Sequence, residues 1–578
     1  MVCAFAGALM ACGVLPVELL AGAPEREPET GELGQNTIPA DALSRLQSDP
    51  RSQGEPQLEL LYPASSELII PADLAPIAFE WQGVGAPRPA AMPAAMPSPE
   101  PPKPEKEKAS KGADAPIAYE LRARGDHADL RLYTAEETAS FPRGAWTELL
   151  RQHTGGSLQL ELRGVRQSGV FVHAKPLTLE IRAALGPGAF FAFSTTTPGI
   201  TRGELSRTHE SVWRAGTAAG GCIGCHAVSR DGRHLLAAVG GSPSLRGWPL
   251  GSTGAELSIE APGAAPGEYV FGSFDQSAAR VACVVAGRLS IFNADSGALL
   301  GQSPAPLRAA MQAPDWAPDG RALVVVLQGE KPGPDAAKGG SLARVAVALD
   351  GSVAEPELLW TAPKDESLWW PSYEPDGAWI AFEKRKGMPR EARDAKLFLI
   401  RASGGEPIEL SELRDKPMSA TSAPSFVRGE LPERPYVVFS SRRPVGSFMP
   451  AEGQRQLFAA ALDLTLAAAG KDPSHAAFWL PFQQRTNSYL RAQWAPALQT
   501  CTPSDEVCDD ADDDCDGQID EACCSPEPEI CGNGDDEDCD GASDEGCHCA
   551  FREVCTNQED DDCDLRVDEQ PCNAPSGK

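Results

Sequence analysis

The chain has 578 residues and a formal net charge of −31 at pH 7. That length calls for several domains, each with its own core. No basic face of the kind that phosphate binding requires is present, which argues against a nucleic-acid role. The charge is uneven: residues 501–578 carry 27 Asp and Glu against 3 Lys and Arg, leaving the first 500 residues at −7.

Residues 1–14 are small and apolar and give way to a polar stretch, as at the end of a secretory signal. Leu9-Met10-Ala11-Cys12 is close to a bacterial lipobox, which would place a lipid on Cys12 and anchor the chain to a membrane. The basic n-region of a signal is missing, and an upstream start would supply it. An ordinary signal with an incidental cysteine is the plain alternative. No run of 18 apolar residues occurs, so no transmembrane helix is expected. Residues 1–21 are thus a signal or lipoprotein segment, and 22–55, poor in apolar residues, are expected to be a disordered linker.

Short strands punctuated by turn residues follow over 56–196, among them Leu58–Pro63, Pro76–Trp81, Ile117–Leu121, Trp146–Leu150, Leu177–Ile181 and Ala189–Phe193. Residues 86–115, rich in Pro and Ala and then in Lys and Glu, interrupt them as a flexible insert. The spacing predicts an immunoglobulin- or fibronectin-like sandwich, with Trp81 as a core anchor.

Residues 200–500 show a repeat. Asp231-Gly232 precedes Leu235–Val239, Asp275 precedes Arg280–Val285, Asp319-Gly320 precedes Ala322–Leu327, and Asp376-Gly377 precedes Trp379–Glu383. The first of these aspartates are 44 residues apart. Weaker copies run through Pro424-Ser425-Phe426 and Gln493-Trp494-Ala495-Pro496. Each unit has room for four short strands, and neighbours must stack radially until the ring closes. The truncated last copy points to closure by strand sharing between the two ends. Trp316-Ala317-Pro318-Asp319-Gly320 and its kin resemble the TolB-like six-bladed propeller built from WD40-like repeats. That resemblance implies a protein or peptide partner on the axial face. No Gly-x-Ser-x-Gly elbow accompanies it, which disfavours a hydrolase.

Cys222, Cys225 and His226 spell C-x-x-C-H, the attachment pattern of a c-type haem. Two thiols would add to the haem vinyls and the histidine would reach the iron. Met311, Met418, Met449, His209 and His234 are candidates for the distal ligand. A local disulfide between the two cysteines, or a partial zinc site, are alternatives. The lone Cys283 reads as a buried core thiol.

Twelve of the 17 cysteines lie between Cys501 and Cys572, a density that belongs to an oxidising compartment. Here three units repeat with a 24-residue period. Each carries Asp-x-Asp-x-Asp followed by a further Asp: Asp512, Asp514, Asp516 and Asp520; Asp536, Asp538, Asp540 and Asp544; Asp560, Asp562, Asp564 and Asp568. Alternating carboxylates converge on a hard cation, so Ca²⁺ is the expected ion. Leu565 replaces the turn glycine and weakens the third loop. Four cysteines per unit suggest two disulfides in each. The pattern resembles the MopE-like metal-binding repeat. The expectation is an all-β, exported protein of the periplasm, outer membrane or cell surface. Its sandwich leads into a six-bladed propeller and a small disulfide-rich calcium-loop tail. The leading function is a binding or scaffold role; the rival is a haem redox protein.

Overall fold

The computed structural model describes residues 38–48, 56–84, 86, 115–126, 128–196, 199–215, 223–239, 245–250, 257–259, 272–285, 288–303, 314–327, 339–386, 394–413, 420–427, 435–451 and 454–497. The lipobox Cys12, most of the insert and all twelve aspartates of the tail repeats lie outside the described residues, and the chain divides after Leu498 into two units.

Six four-stranded antiparallel sheets form the larger part of the first unit. Blade 1 holds Gly188–Ser194, Gly199–Gly203 and Glu210–Ala215, with Tyr489–Pro496 as its inner strand. Blades 2 to 6 begin with inner strands Ile223–Val228, Gly272–Phe274, Asp315–Trp316, Glu366–Tyr373 and Thr421–Phe426. Each inner strand packs beside the next, and that of blade 6 packs beside Tyr489–Pro496. The sheets therefore close into a six-bladed propeller. The last strand of the repeat region pairs with Gly188–Ser194, with Phe190 opposite Trp494. Ala189–Phe193, placed in the first domain from sequence, thus belongs to the ring.

The turns opening blades 2 to 5 are one motif. Gly232 N donates to Ser229 O, Ala278 N to Asp275 O, Gly320 N to Ala317 O and Gly377 N to Glu374 O. Ser277, not Asp275, therefore stands where Asp231 stands, which corrects the 44-residue step read from the aspartates. Ala278 holds the left-handed φ of 56° that glycine takes in the other three turns. Asp275 instead serves the blade interior. Its carboxylate accepts from Arg280 Nε at 2.7 Å, and the same guanidinium donates to Gly320 O at 2.6 Å and Ala348 O at 3.0 Å. Arg280 also lies 4.7 Å from the Trp316 ring centroid, so every edge of its fork is used in tying blade 3 to blade 4.

Before the ring stand a six-stranded and a three-stranded sheet. They meet through Trp81, which is 2% exposed and sits edge-on to Tyr119 at 5.3 Å. Two features depart from an immunoglobulin- or fibronectin-like sandwich. Glu67–Pro71 pairs in parallel with Leu177–Arg182. Arg143–Gln152, whose Trp146–Leu150 run was expected to be a strand, is a helix. Pro142 sits at its N-cap, and Trp146, Leu149 and Leu150 fall on one buried face, a helical spacing rather than an alternating one. A second helix, Ala40–Ser48, lies within the stretch expected to be a disordered linker. Its Ala42 and Leu46 are buried against Ala118 and Val165. Two well-placed apolar residues are enough to dock a segment that composition alone marks as loose.

Candidate functional site

The inner strands of blades 1, 2, 5 and 6 share a bulge. Register slips between Gly224 and Ala227, between Trp369 and Ser372, and between Ser422 and Ser425. In blade 1 it slips opposite Phe191 and Phe193, at Arg491. Trp370, Ala423 and Arg491, each four residues before the end of its turn-leading segment, adopt φ of 53°, 52° and 51°. A left-handed non-glycine residue is strained, and three at one repeat position mark a built feature. The bulges bring His226, Trp369, Trp370 and Arg491 towards the axis. The two tryptophans reach across it into the core shared by blades 2 and 3.

His226 occupies the bulge of blade 2 and is 1% exposed. Its Nε2 lies 3.0 Å from Phe191 O, and the Arg491 backbone also hydrogen-bonds the ring. Burial, with the Arg491 charge next, lowers its pKa to about 3. Cys222 and the side chain of Cys225 lie outside the described residues. As placed, this imidazole does not fit an iron ligand: backbone groups already engage it, and a cationic side chain stands beside it. Of the distal candidates, Met311 and Met418 lie outside the described residues, His209 is exposed, and His234 tilts over Phe274 at 6.3 Å. Among the described residues no group of three or more His, Cys, Asp or Glu side chains is placed to hold a metal. Cys283 is buried and free, with its thiol pKa raised by burial, as expected of a core thiol.

Beside the bulges lies a buried charge cluster that the sequence reading passes over. Glu383 is 0% and Arg385 3% exposed, on the same face of the second strand of blade 5. Arg385 Nη1 is 3.3 Å from Glu383 Oε1, while the other carboxylate oxygen accepts from Ala423 N at 3.2 Å. The Arg385 guanidinium lies 4.1 Å from the Trp369 ring centroid, and that of Arg491 5.2 Å from Trp370. Arg455 and Arg442 of blade 6 join from the next sector: burial first, then Arg442 and Arg385, lower the Arg455 pKa to about 10 despite Glu383. Glu383-x-Arg385 at the charged end of a strand that begins Trp-Ile-Ala-Phe, after a Trp-Trp-Pro inner strand, is the sequence signal for this cluster. Alternation at period two puts both charges on one face.

Fold and site define a six-bladed β-propeller closed by its last strand, with strained inner strands and buried charge at one end of its axis. No protein-family model matches the chain, and a search of curated proteins finds no match. Solved structures similar to it include the protein assigned as TolB in Agrobacterium tumefaciens, at 12% identity, covering 54% of this chain and 99% of that one, with a TM-score of 0.31. TolB from Acinetobacter baumannii is similar at 16% identity over 50% of this chain and 62% of that one, TM-score 0.27. The dihydro-haem d1 dehydrogenase NirN is similar at 15% identity over 50% and 53%, TM-score 0.30.

Proposed function

We propose that this chain is an exported, non-catalytic binding protein of the cell envelope, whose propeller receives a protein or peptide partner at the axial end described above. The observation that carries the reading is that inner strands of four blades bulge towards the axis, where Trp369 and Trp370 stack on Arg385 and Arg491 just beneath the surface. Such side chains supply large contact area and directional donors, the usual anchors of a recognition surface. The charged groups of the cluster form an ion pair and cation–π stacks rather than a nucleophile with a base. Calcium held by Asp512, Asp514, Asp516, Asp520 and their counterparts in the next two repeats would stabilise the tail, with its cysteines as disulfides. An anchor on Cys12 would hold the molecule at a membrane. The electron-transfer reading is set aside because His226 does not fit the iron.

The test captures partners from an envelope extract with the full chain immobilised, wild type beside Trp370→Ala. A partner retained by wild type and lost by the variant is expected. Identical capture by both overturns the axial assignment. Metal analysis and thiol titration of the envelope-purified protein check the tail: bound calcium with oxidised cysteines is expected, and free thiols without metal overturn that part.

A further inference from the structure

One repeat position differs between the blades in a way that leaves a gap. The carbonyls of His234, Arg280, Ala322, Trp379 and Tyr436 accept the same bond in blades 2 to 6, from Ser229 N, Asp275 N, Ala317 N, Glu374 N and Val427 N. These five residues are therefore counterparts. His234 tilts over Phe274 of the next blade at 6.3 Å. Arg280 lies over Trp316 of the next blade at 4.7 Å and engages Asp275, Gly320 O and Ala348 O. In blade 4 the position is Ala322, whose methyl group reaches none of the corresponding partners.

Those partners can be named. Ala317 stands where Asp275 does, Tyr373 where Trp316 does, and Gly377 where Gly320 does. Val347 N and Ala402 N donate alike to Arg321 O and Ala378 O, so Ser403 stands where Ala348 does. All four line one open cleft of about 380 Å³ between blades 4 and 5. Its charged lining is Asp319, Glu357 and Asp376 against Arg344 alone, and Arg344 lies 3.9 Å from Glu357. Tyr373, at its base, is 1% exposed. Arg344 is the side chain placed to meet the Tyr373 hydroxyl, and a guanidinium only donates. The phenolic proton is therefore left without an acceptor among the described residues.

We infer that the cleft between blades 4 and 5 binds an arginine side chain presented by a peptide segment of a partner. Its guanidinium takes the place that Arg280 holds one blade earlier. Gly377 O and Ser403 O accept its N–H groups, and Asp319 and Asp376 supply the counter-charge that Asp275 supplies there. The Tyr373 hydroxyl donates to a backbone carbonyl of the segment. A planar fork, rather than the point charge of lysine, suits acceptors spread over two blades. The cleft shares no residue with the axial cluster, so this inference stands or falls apart from the axial reading.

The experiment is calorimetric titration of the full-length protein with acetyl-Ala-Arg-Ala-amide, at ionic strength fixed with sodium chloride. The same peptide carrying lysine or citrulline in place of arginine is titrated in parallel. Saturable binding of the arginine peptide is expected, with the neutral citrulline peptide weaker by about tenfold or more, as when charged hydrogen bonds are lost. Asp319→Asn with Asp376→Asn, both exposed, should weaken the arginine peptide by about tenfold, and Tyr373→Phe should also weaken it. Ala322→Arg supplies the guanidinium from within and should abolish binding. Asp295→Asn, an exposed carboxylate of blade 3, should change nothing. Folding of each variant is verified by its own unfolding curve. Should Ala322→Arg fail to fold, the two exposed carboxylates carry the same test. Equal or tighter binding of the lysine peptide overturns the guanidinium preference. No saturable binding, or binding that the Asp319 and Asp376 variant and Ala322→Arg leave intact, overturns the site. A loss in Asp295→Asn as large as in the cleft variants would mark diffuse charge attraction and overturn it too.

Discussion

The Glu80 carboxylate of the first domain accepts hydrogen bonds from Ser447 N at 2.7 Å and Ser447 Oγ at 2.8 Å, across 367 residues of sequence. Arg485 pairs with the same carboxylate, and Gly446 must be glycine beside it: a Cβ there would lie 2.2 Å from Glu80 Oε2, at a φ of 62°. Burial alone would raise the Glu80 pKa, but the Ser447 and Arg485 hydrogen bonds hold it below its usual 4.5. One side chain thus locks the leading sheets onto blade 6.

Glu80→Ala is expected to lower stability by about 2–3 kcal/mol, the range for hydrogen bonds to a charged group, discounted because Arg485 is about a third exposed. A carboxylate with a depressed folded pKa stabilises above its unfolded value and loses that contribution as pH falls through the folded one. The gap between wild type and variant should therefore be flat near pH 7 and narrow below pH 4.5. Urea unfolding at several pH values reads this, and a gap independent of pH refutes it.

His226 gives stability a pH dependence that an exposed histidine would not. Neutral in the fold down to about pH 3, it takes a proton in the unfolded chain at 6.5. The unfolded state then binds more protons, so stability falls as pH drops below 6.5, by up to about 1.4 kcal/mol per unit. His226→Gln should lack that component. Protein made in a haem-maturing host should show no Soret band, and a band would overturn the placement of this ring.

Arg280→Ala leaves Asp275 buried without its counter-charge. A cost of about 3–5 kcal/mol is expected, as for one partner removed from a buried ion pair. Replacing both residues, Asp275→Asn with Arg280→Leu, should recover part of it. A double-mutant cycle by chemical denaturation measures the coupling, and additive costs would refute the clamp.

Ring closure has its own test. A Cβ on Gly188 would lie 2.2 Å from Trp494 Cζ2 and 2.6 Å from Ala495 O. Gly188→Ala should therefore push the closing strand away and cost about 1–3 kcal/mol, as overpacking does. Protease digestion should then cut within Tyr489–Pro496 faster than in wild type. Unchanged digestion would mean that this pairing does not hold the ring.

The repeat was legible because turn chemistry is local. Gly232, Gly320 and Gly377 supply the positive φ where blades 2, 4 and 5 open, and short apolar runs after such turns read as strands. Asp275 misled because its carboxylate serves Arg280, a partner whose role shows only once the strands pair. Trp146 misled because a five-residue run among strand-forming neighbours reads as one more strand, although Trp146, Leu149 and Leu150 follow the i, i+3, i+4 spacing of a helix. The C-x-x-C-H motif fixed attention on His226, but its surroundings, Phe191 O and the Arg491 backbone, come from blade 1, one from each end of the repeat region.

The sequence by itself determined the β-rich repeat, its turns, and the closing of the ring by its last copy, since periodicity and glycine placement are properties of neighbouring residues. Only the tertiary structure decided which charges meet. Glu383, Arg385, Arg455 and Arg491 come from three blades, and they meet only because the ring closes. A side chain's partner is set by distance through space, which no local pattern in the chain records.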